Sequence, residues 1–264
     1  MTFQNLLVEK RGAVSVVYLH RPEKLNTLNQ DLHNEIFALT EALHEDMETR
    51  VVVFTGTGKN FSAGSDLTDP AMAKQATATR LEKLRYMKIG PRTISSIYGI
   101  NQITIAAING YALGGGACIA SACDFRIGAD NCRVGFPEVG LAMNLSWVAL
   151  PLCVHLIGPA RAKEMVILAR KEKAETLLKW GFLDQMVPEA QLLDEAMKVA
   201  ELYAAQPPIA AQMVKRSVNA ISSALDQSIM HMDSDQYLYA VSSEDFMEAT
   251  QAFFEKRDGT FKGN

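Results

Sequence analysis

The 264-residue sequence lacks any apolar run long enough to span a bilayer; the candidate near residues 147–157 is short and broken by Pro151. It lacks a C-x-x-C pair among its four cysteines, Cys118, Cys123, Cys132 and Cys153, and it lacks a histidine pair at zinc spacing. No metal site is therefore expected, and free thiols point to a reducing compartment, the cytoplasm. The opening MTFQNLLVEKRGA lacks the charged-then-apolar shape of a signal peptide. A basic stripe is missing too: 26 Lys and Arg stand against 30 Asp and Glu, a formal charge of −4, which disfavours nucleic acid as a partner. G-x-G-x-x-G and G-x-S-x-G are absent, and GTGK at 56–59 lacks the Walker spacing.

What is present is an ordinary globular composition, 48% hydrophobic and 21% charged. Val-rich runs at 13–19 and 51–55 read as buried strands. Between them Leu32, Ile36, Leu39, Leu43 and Met47 recur at three- and four-residue steps, predicting an amphipathic helix over 31–47. Strand, helix, strand suggests a crossover unit, and strands apolar on both faces suggest a largely parallel sheet. Further strands are expected at 103–109, 125–128 and 132–134. Helices are expected at 117–122, 159–169, 192–205, 209–225 and 244–256, and a peripheral helical segment at 68–85. The change near residue 190 divides a strand-bearing core, 1–190, from a helical part, 191–264.

Two small-residue loops leave strand ends, where ligands bind in parallel sheets. They are NFSAGSDL at 60–67 and ALGGGAC at 112–118. Small residues let a ligand reach main-chain N–H groups, and the helix expected after the second loop favours developing negative charge. A third element, VGFPEVGL at 134–141, sets Glu138 among apolar neighbours, where a carboxyl's pKa rises toward neutrality. Taken singly, each has an ordinary reading: a tight turn, or a surface glutamate.

Together they resemble the crotonase (enoyl-CoA hydratase/isomerase) superfamily over nearly the whole chain. The resemblance runs through HRPEKLNTLN at 20–29, FSAGSDL at 61–67, AAINGYALGGGACIASACD at 106–124, FPEVGL at 136–141, LIGPARAKEM at 156–165 and AFFEKRDGTFKG at 252–263. It implies an α/β fold, a spiral of β-β-α turns with C-terminal helices that build a homotrimer, often paired into a hexamer. It implies an acyl-CoA thioester substrate, with no cofactor beyond that coenzyme A. By motif, the backbone N–H groups of Ser65 and Gly115 form the oxyanion hole, with Gly114 beside them. Arg21, Lys24, Ala63, Ser65, Asp66 and Leu67 fall on CoA-contacting segments, and Phe253 and Lys256 match positions near the adenine end. Leu141, Asn144, Ser146 and Trp147, with Cys118, are expected to shape the acyl pocket.

The sequence departs from the hydratase pattern at one place. Members resembling hydratases carry two glutamates, and Cys118 stands where the first belongs. A thiol cannot replace that charge, and small apolar neighbours suit an inert buried thiol. A single carboxylate suffices for a double-bond shift, so the leading expectation is an enoyl-CoA isomerase with Glu138 as sole acid/base. Hydratase or related lyase, CoA-ester hydrolase or decarboxylase, and non-catalytic acyl-CoA-binding paralogue are the alternatives.

Overall fold

The computed structural model describes residues 2–264. The chain opens with a hairpin of β1 (Leu6–Arg11) and β2 (Val14–Leu19), then α1 (Gln30–Glu45) and β3 (Val51–Gly56). Three helices follow: α2 (Pro70–Ala73), α3 (Arg80–Met87) and α4 (Ile89–Gly99). Next come β4 (Ile103–Ile108), β5 (Tyr111–Leu113), α5 (Gly115–Ala122), β6 (Phe125–Ala129) and β7 (Arg133–Gly135). The second half holds α6 (Ala149–Ile167), β8 (Glu172–Lys173), α7 (Ala174–Trp180), β9 (Gln185–Val187) and α8 (Leu192–Ala204). It ends with α9 (Pro208–Ser222), α10 (Gln227–Met230), α11 (Asp233–Ala240) and α12 (Glu244–Glu255).

Six strands form the main sheet in the order β1-β2-β3-β4-β6-β9. Only β1 is antiparallel to its neighbour. A smaller sheet, β5-β7-β8, lies beside it. Every residue of β3 is buried, which is why VVVFTG carries no alternation. Full burial of each such Val or Phe contributes about 1.5–3 kcal/mol. Helix α8 packs on β2, β3, β4 and β6, while α1 packs on α4 and α4 on α5. The first helix beyond residue 190 is therefore part of the core layer.

Several elements differ from their sequence-based bounds or were not anticipated, and three of them have a local cause. Helix α1 stops at Glu45, and Met47 is exposed, because the Asp46 carboxylate accepts from the N–H groups of Glu48 and Thr49 and turns the chain. Helix α6 begins at Ala149 and bends at Gly158 (φ 76°), just before Pro159; this kink hides its first half from a periodicity reading. The hairpin strand β1 half-exposes an irregular pattern and carries no clear period. Among the described residues, no helix is long and apolar enough to cross a membrane.

Candidate active site

Strands β3 and β4 are parallel neighbours, so the loops leaving their C-terminal ends lie side by side. Asn109 ties them together. Its Oδ1 accepts from Gly56 N–H, and its Nδ2 donates to the carbonyls of Gly56 and Gly58. Ser62 then donates to the Tyr111 carbonyl and accepts from Leu113 N–H. The three consecutive glycines meet three different obstacles. A Cβ on Gly116 would lie 2.5 Å from the Ser62 carbonyl oxygen; one on Gly115 would overlap the Trp147 ring and Leu28; one on Gly114 would stand 3.1 Å from Glu138 Oε1. Gly114 also takes φ 49°, which favours glycine. At Gly64 (φ 99°) a Cβ would lie 3.6 Å from Gly115 N, so the two loops face each other closely.

That packing leaves two main-chain donors free. Ser65 N–H and Gly115 N–H have no acceptor within the described residues, while the N–H groups on either side of Ser65, those of Gly64 and Asp66, are bonded. Gly115 opens α5, where unpartnered N–H groups are expected. The Glu138 carboxylate sits over Gly114, beside these donors, and its Oε2 is enclosed without a hydrogen-bond partner. Burial pushes the Glu138 carboxyl up to about 7.

Ser65, Gly115, Glu138, Cys118, Ser146 and Trp147 line one cavity of about 130 Å³. A larger cavity, about 640 Å³, lies between α9 and the N-terminal ends of β4 and β6; its lining contains neither glycine loop nor Glu138. Cys118 is fully buried, and burial, then the nearby Glu138 carboxylate, hold its thiol well above its ordinary value. All four cysteines are free and buried. Among the described residues, no three His, Cys, Asp or Glu side chains converge as a metal site.

Other sequence-derived site residues fall elsewhere. The Arg21 guanidinium pairs with Asp66 at 2.8 Å and donates to the Thr27 carbonyl. Although burial opposes it, hydrogen bonds from Thr68 and Arg21 hold the Asp66 carboxyl below its usual range. Asp66 and Leu67 still edge the cavity. Ala63 N–H is taken by the Leu25 carbonyl. Lys24 is exposed beside Thr68, and Phe253 and Lys256 are exposed on and just after α12; none of these lines the cavity. Leu141 and Asn144 are also outside the lining. The turn at Val139–Leu141 and left-handed Ala142 (φ 53°) return two N–H groups to the Glu138 carbonyl, and this reversal brings Met143 to the cavity instead.

The structure adds residues that motif reading missed: Gln30, His33, Tyr86, Gly90 and Tyr237 also line the cavity. Trp147 and Val148 are both left-handed, at φ 62° and 54°. Such backbone costs on the order of 1–3 kcal/mol per residue. The buried Asp233 carboxylate of α11 holds it by accepting from Val148 N–H at 3.2 Å and from Trp147 N–H. The C-terminal helices thus fix the indole that packs on Gly115.

A family model described as enoyl-CoA hydratase/isomerase matches residues 9–264. A short-chain-enoyl-CoA hydratase of Clostridium acetobutylicum is 32% identical over 258 residues, with 97% of each chain covered. A crotonyl-CoA hydratase of Syntrophomonas wolfei is 30% identical over 263 residues, with 99% of each covered. A solved structure described as a carnitinyl-CoA hydratase from Mycobacterium avium matches 100% of both chains at 28% identity, with a TM-score of 0.86. The mixed α/β core with its helical C-terminal region is the fold of these structures.

Proposed function

The chain belongs to the enoyl-CoA hydratase/isomerase family, and we propose that it interconverts a short-chain 2-enoyl-CoA and its 3-hydroxyacyl-CoA by adding or removing water. The observation that carries this reading is the Glu138 carboxylate, dry and unpartnered, over Gly114 and beside the free N–H groups of Gly115 and Ser65. The thioester oxygen accepts from both N–H groups. As water oxygen bonds to C3, ionised Glu138 takes its proton and the thioester becomes an enolate. Glu138 then returns a proton to C2, and the enolate collapses to the thioester. The carboxylate starts and ends ionised, and no redox partner or further cofactor enters. Each oxyanion donor supplies ~10²–10³-fold and the proton transfer ~10²–10⁴-fold.

The names of the relatives support hydration over the double-bond shift that Cys118 alone favours. Cys118 carries the second reading. With one carboxylate at the reacting carbons, Glu138 takes a proton from C2 of a 3-enoyl-CoA and returns it to C4. A cavity of about 130 Å³ supports a short acyl group in either reaction. Exposed Ile209, Met213, Val218 and Ile221 on α9 and Leu225 beyond it support a homotrimer or hexamer, and four free buried thiols support a cytoplasmic setting.

Two incubations test the reaction. Crotonyl-CoA should lose its conjugated absorbance and yield a product one water heavier. A 3-enoyl-CoA that gains conjugation, with crotonyl-CoA left unchanged, would replace hydration by isomerisation.

A further inference from the structure

His33 lies on α1 and is buried, yet it lines the cavity that holds Glu138. Its tautomer is set by its neighbours. The Thr93 hydroxyl donates its proton to the Ile89 carbonyl at 3.0 Å. Thr93 Oγ1 therefore accepts from His33, whose Nδ1 lies 2.9 Å away. Nδ1 carries the hydrogen, and Nε2 is left as a bare acceptor. Burial depresses the imidazole to about 4 against the opposing pull of Asp69, so the ring is neutral at pH 7. Nε2 has no hydrogen-bond partner among the described residues, and His33 is part of the cavity lining.

The ring's position relates it to the thioester. Trp147 packs against Gly115, which offers a free N–H, and meets His33 edge to face with centroids 5.1 Å apart. His33 is thus one indole away from the oxyanion donor, the reach of a short acyl group. The cavity hydroxyls, on Ser65, Ser146, Tyr86 and Tyr237, rotate and can donate as well as accept; His33 Nε2 only accepts.

We infer that His33 Nε2 accepts a hydrogen bond from the oxygen at C3, the adding water or the hydroxyl of the 3-hydroxyacyl-CoA. This inference rests on the hydration reading. It supplies, from α1, the second water-holding group that Cys118 does not supply from α5.

The test is a binding measurement in a Glu138→Gln background, where turnover is blocked. Isothermal titration calorimetry compares 3-hydroxybutyryl-CoA, 4-hydroxybutyryl-CoA and butyryl-CoA. One neutral hydrogen bond predicts that the 3-hydroxy ester binds about 3- to 10-fold tighter than butyryl-CoA. Adding His33→Leu should erase that preference while butyryl-CoA affinity stays within about 2-fold; His33→Gln, which keeps an acceptor, should retain part of it. A preference that survives His33→Leu, one that favours the 4-hydroxy ester, or no preference at all would overturn the assignment. Should His33→Leu fail to fold, Thr93→Val decides, because it frees the tautomer: the preference must fall, and an unchanged one overturns the inference. Turnover of crotonyl-CoA by the native protein is scored separately. Its absence sinks the proposed reaction and leaves the binding preference standing or falling on its own.

Discussion

Replacing Glu138 by Gln should abolish activity and raise stability, and the gain should depend on pH in a defined direction. The folded carboxyl titrates at about 7 and an ordinary glutamate at 4.5, a difference caused by burial. Folding therefore holds this proton more tightly than the unfolded chain does. Below about pH 4 both states are protonated and Glu138 costs nothing. As pH rises from there toward 7, the unfolded chain ionises first and stability falls. Above the folded value both states are ionised and the full penalty applies, about 3 kcal/mol from the 2.5-unit difference. Gln is nearly isosteric and cannot ionise. The Tm of Glu138→Gln should match the native protein near pH 4 and exceed it by roughly 6–12 °C near pH 8. Differential scanning calorimetry across that range reads the gap, and the same preparations assayed with crotonyl-CoA should show kcat lower by ~10²–10⁴. A gap that stays constant with pH would mean that Glu138 is not held in a dry site, and retained kcat would remove it from the chemistry.

Native kcat/KM should rise with pH through about 7, because either reaction starts from ionised Glu138; a flat profile from pH 6 to 8 counts against it. Gly116→Ala drives a Cβ into the Ser62 carbonyl and should cost about 1–3 kcal/mol in chemical denaturation, with a fall in kcat/KM from the displaced donors. Cys118→Ser should change kcat less than about 3-fold, and native Cys118 should resist iodoacetamide at pH 8, since burial keeps the thiol protonated. Rapid alkylation with parallel loss of activity would make it a working thiol. Asp233→Ala removes the carboxylate that holds Trp147 and Val148 left-handed. In a Trp180→Phe background it should shift the remaining indole fluorescence and raise KM for acyl-CoA, whereas an unmoved spectrum would show that the loop holds itself.

Positions of close main-chain approach were the most legible in the sequence. Glycine at 114, 115 and 116 announces close backbone approach whatever the partners are, and the partners proved to be Glu138, Trp147 with Leu28, and Ser62. Glu138 was legible because its Pro, Val and Phe neighbours already describe a dry setting. Charged surface assignments were less secure, because one motif position cannot say what a cation meets; Arg21 meets Asp66, 45 residues away. His33 was hidden for a different reason. The periodicity that identifies α1 follows Leu32, Ile36, Leu39 and Leu43, while the buried set is wider and includes His33 and Thr40. A polar residue inside that wider stripe was the available signal. Tyr86 and Tyr237 come from α3 and α11, short polar helices whose docking no local pattern encodes.

The thiol at Cys118 also bears on what Glu138 can do. The rise of Glu138 to about 7 comes from burial, with no opposing or reinforcing charge beside it. A second carboxylate at position 118 would add like-charge repulsion across a cavity that already penalises ionisation, and would raise Glu138 further. The proposed reaction needs Glu138 ionised at the start, and at about 7 it is half ionised at neutrality. A pocket this dry tolerates a neutral group next to its base better than a second anion. The acceptor that water addition requires then has to be uncharged as well, and the neutral imidazole of His33, held by Thr93 with Nε2 bare, meets that condition. Cys118→Glu distinguishes the two designs. If the thiol is there to keep Glu138 usable, installing the carboxylate should move the acidic limb of the pH–rate profile upward and lower activity at pH 7. A gain in hydration rate at pH 7 would instead show that the pocket lacks only its second glutamate.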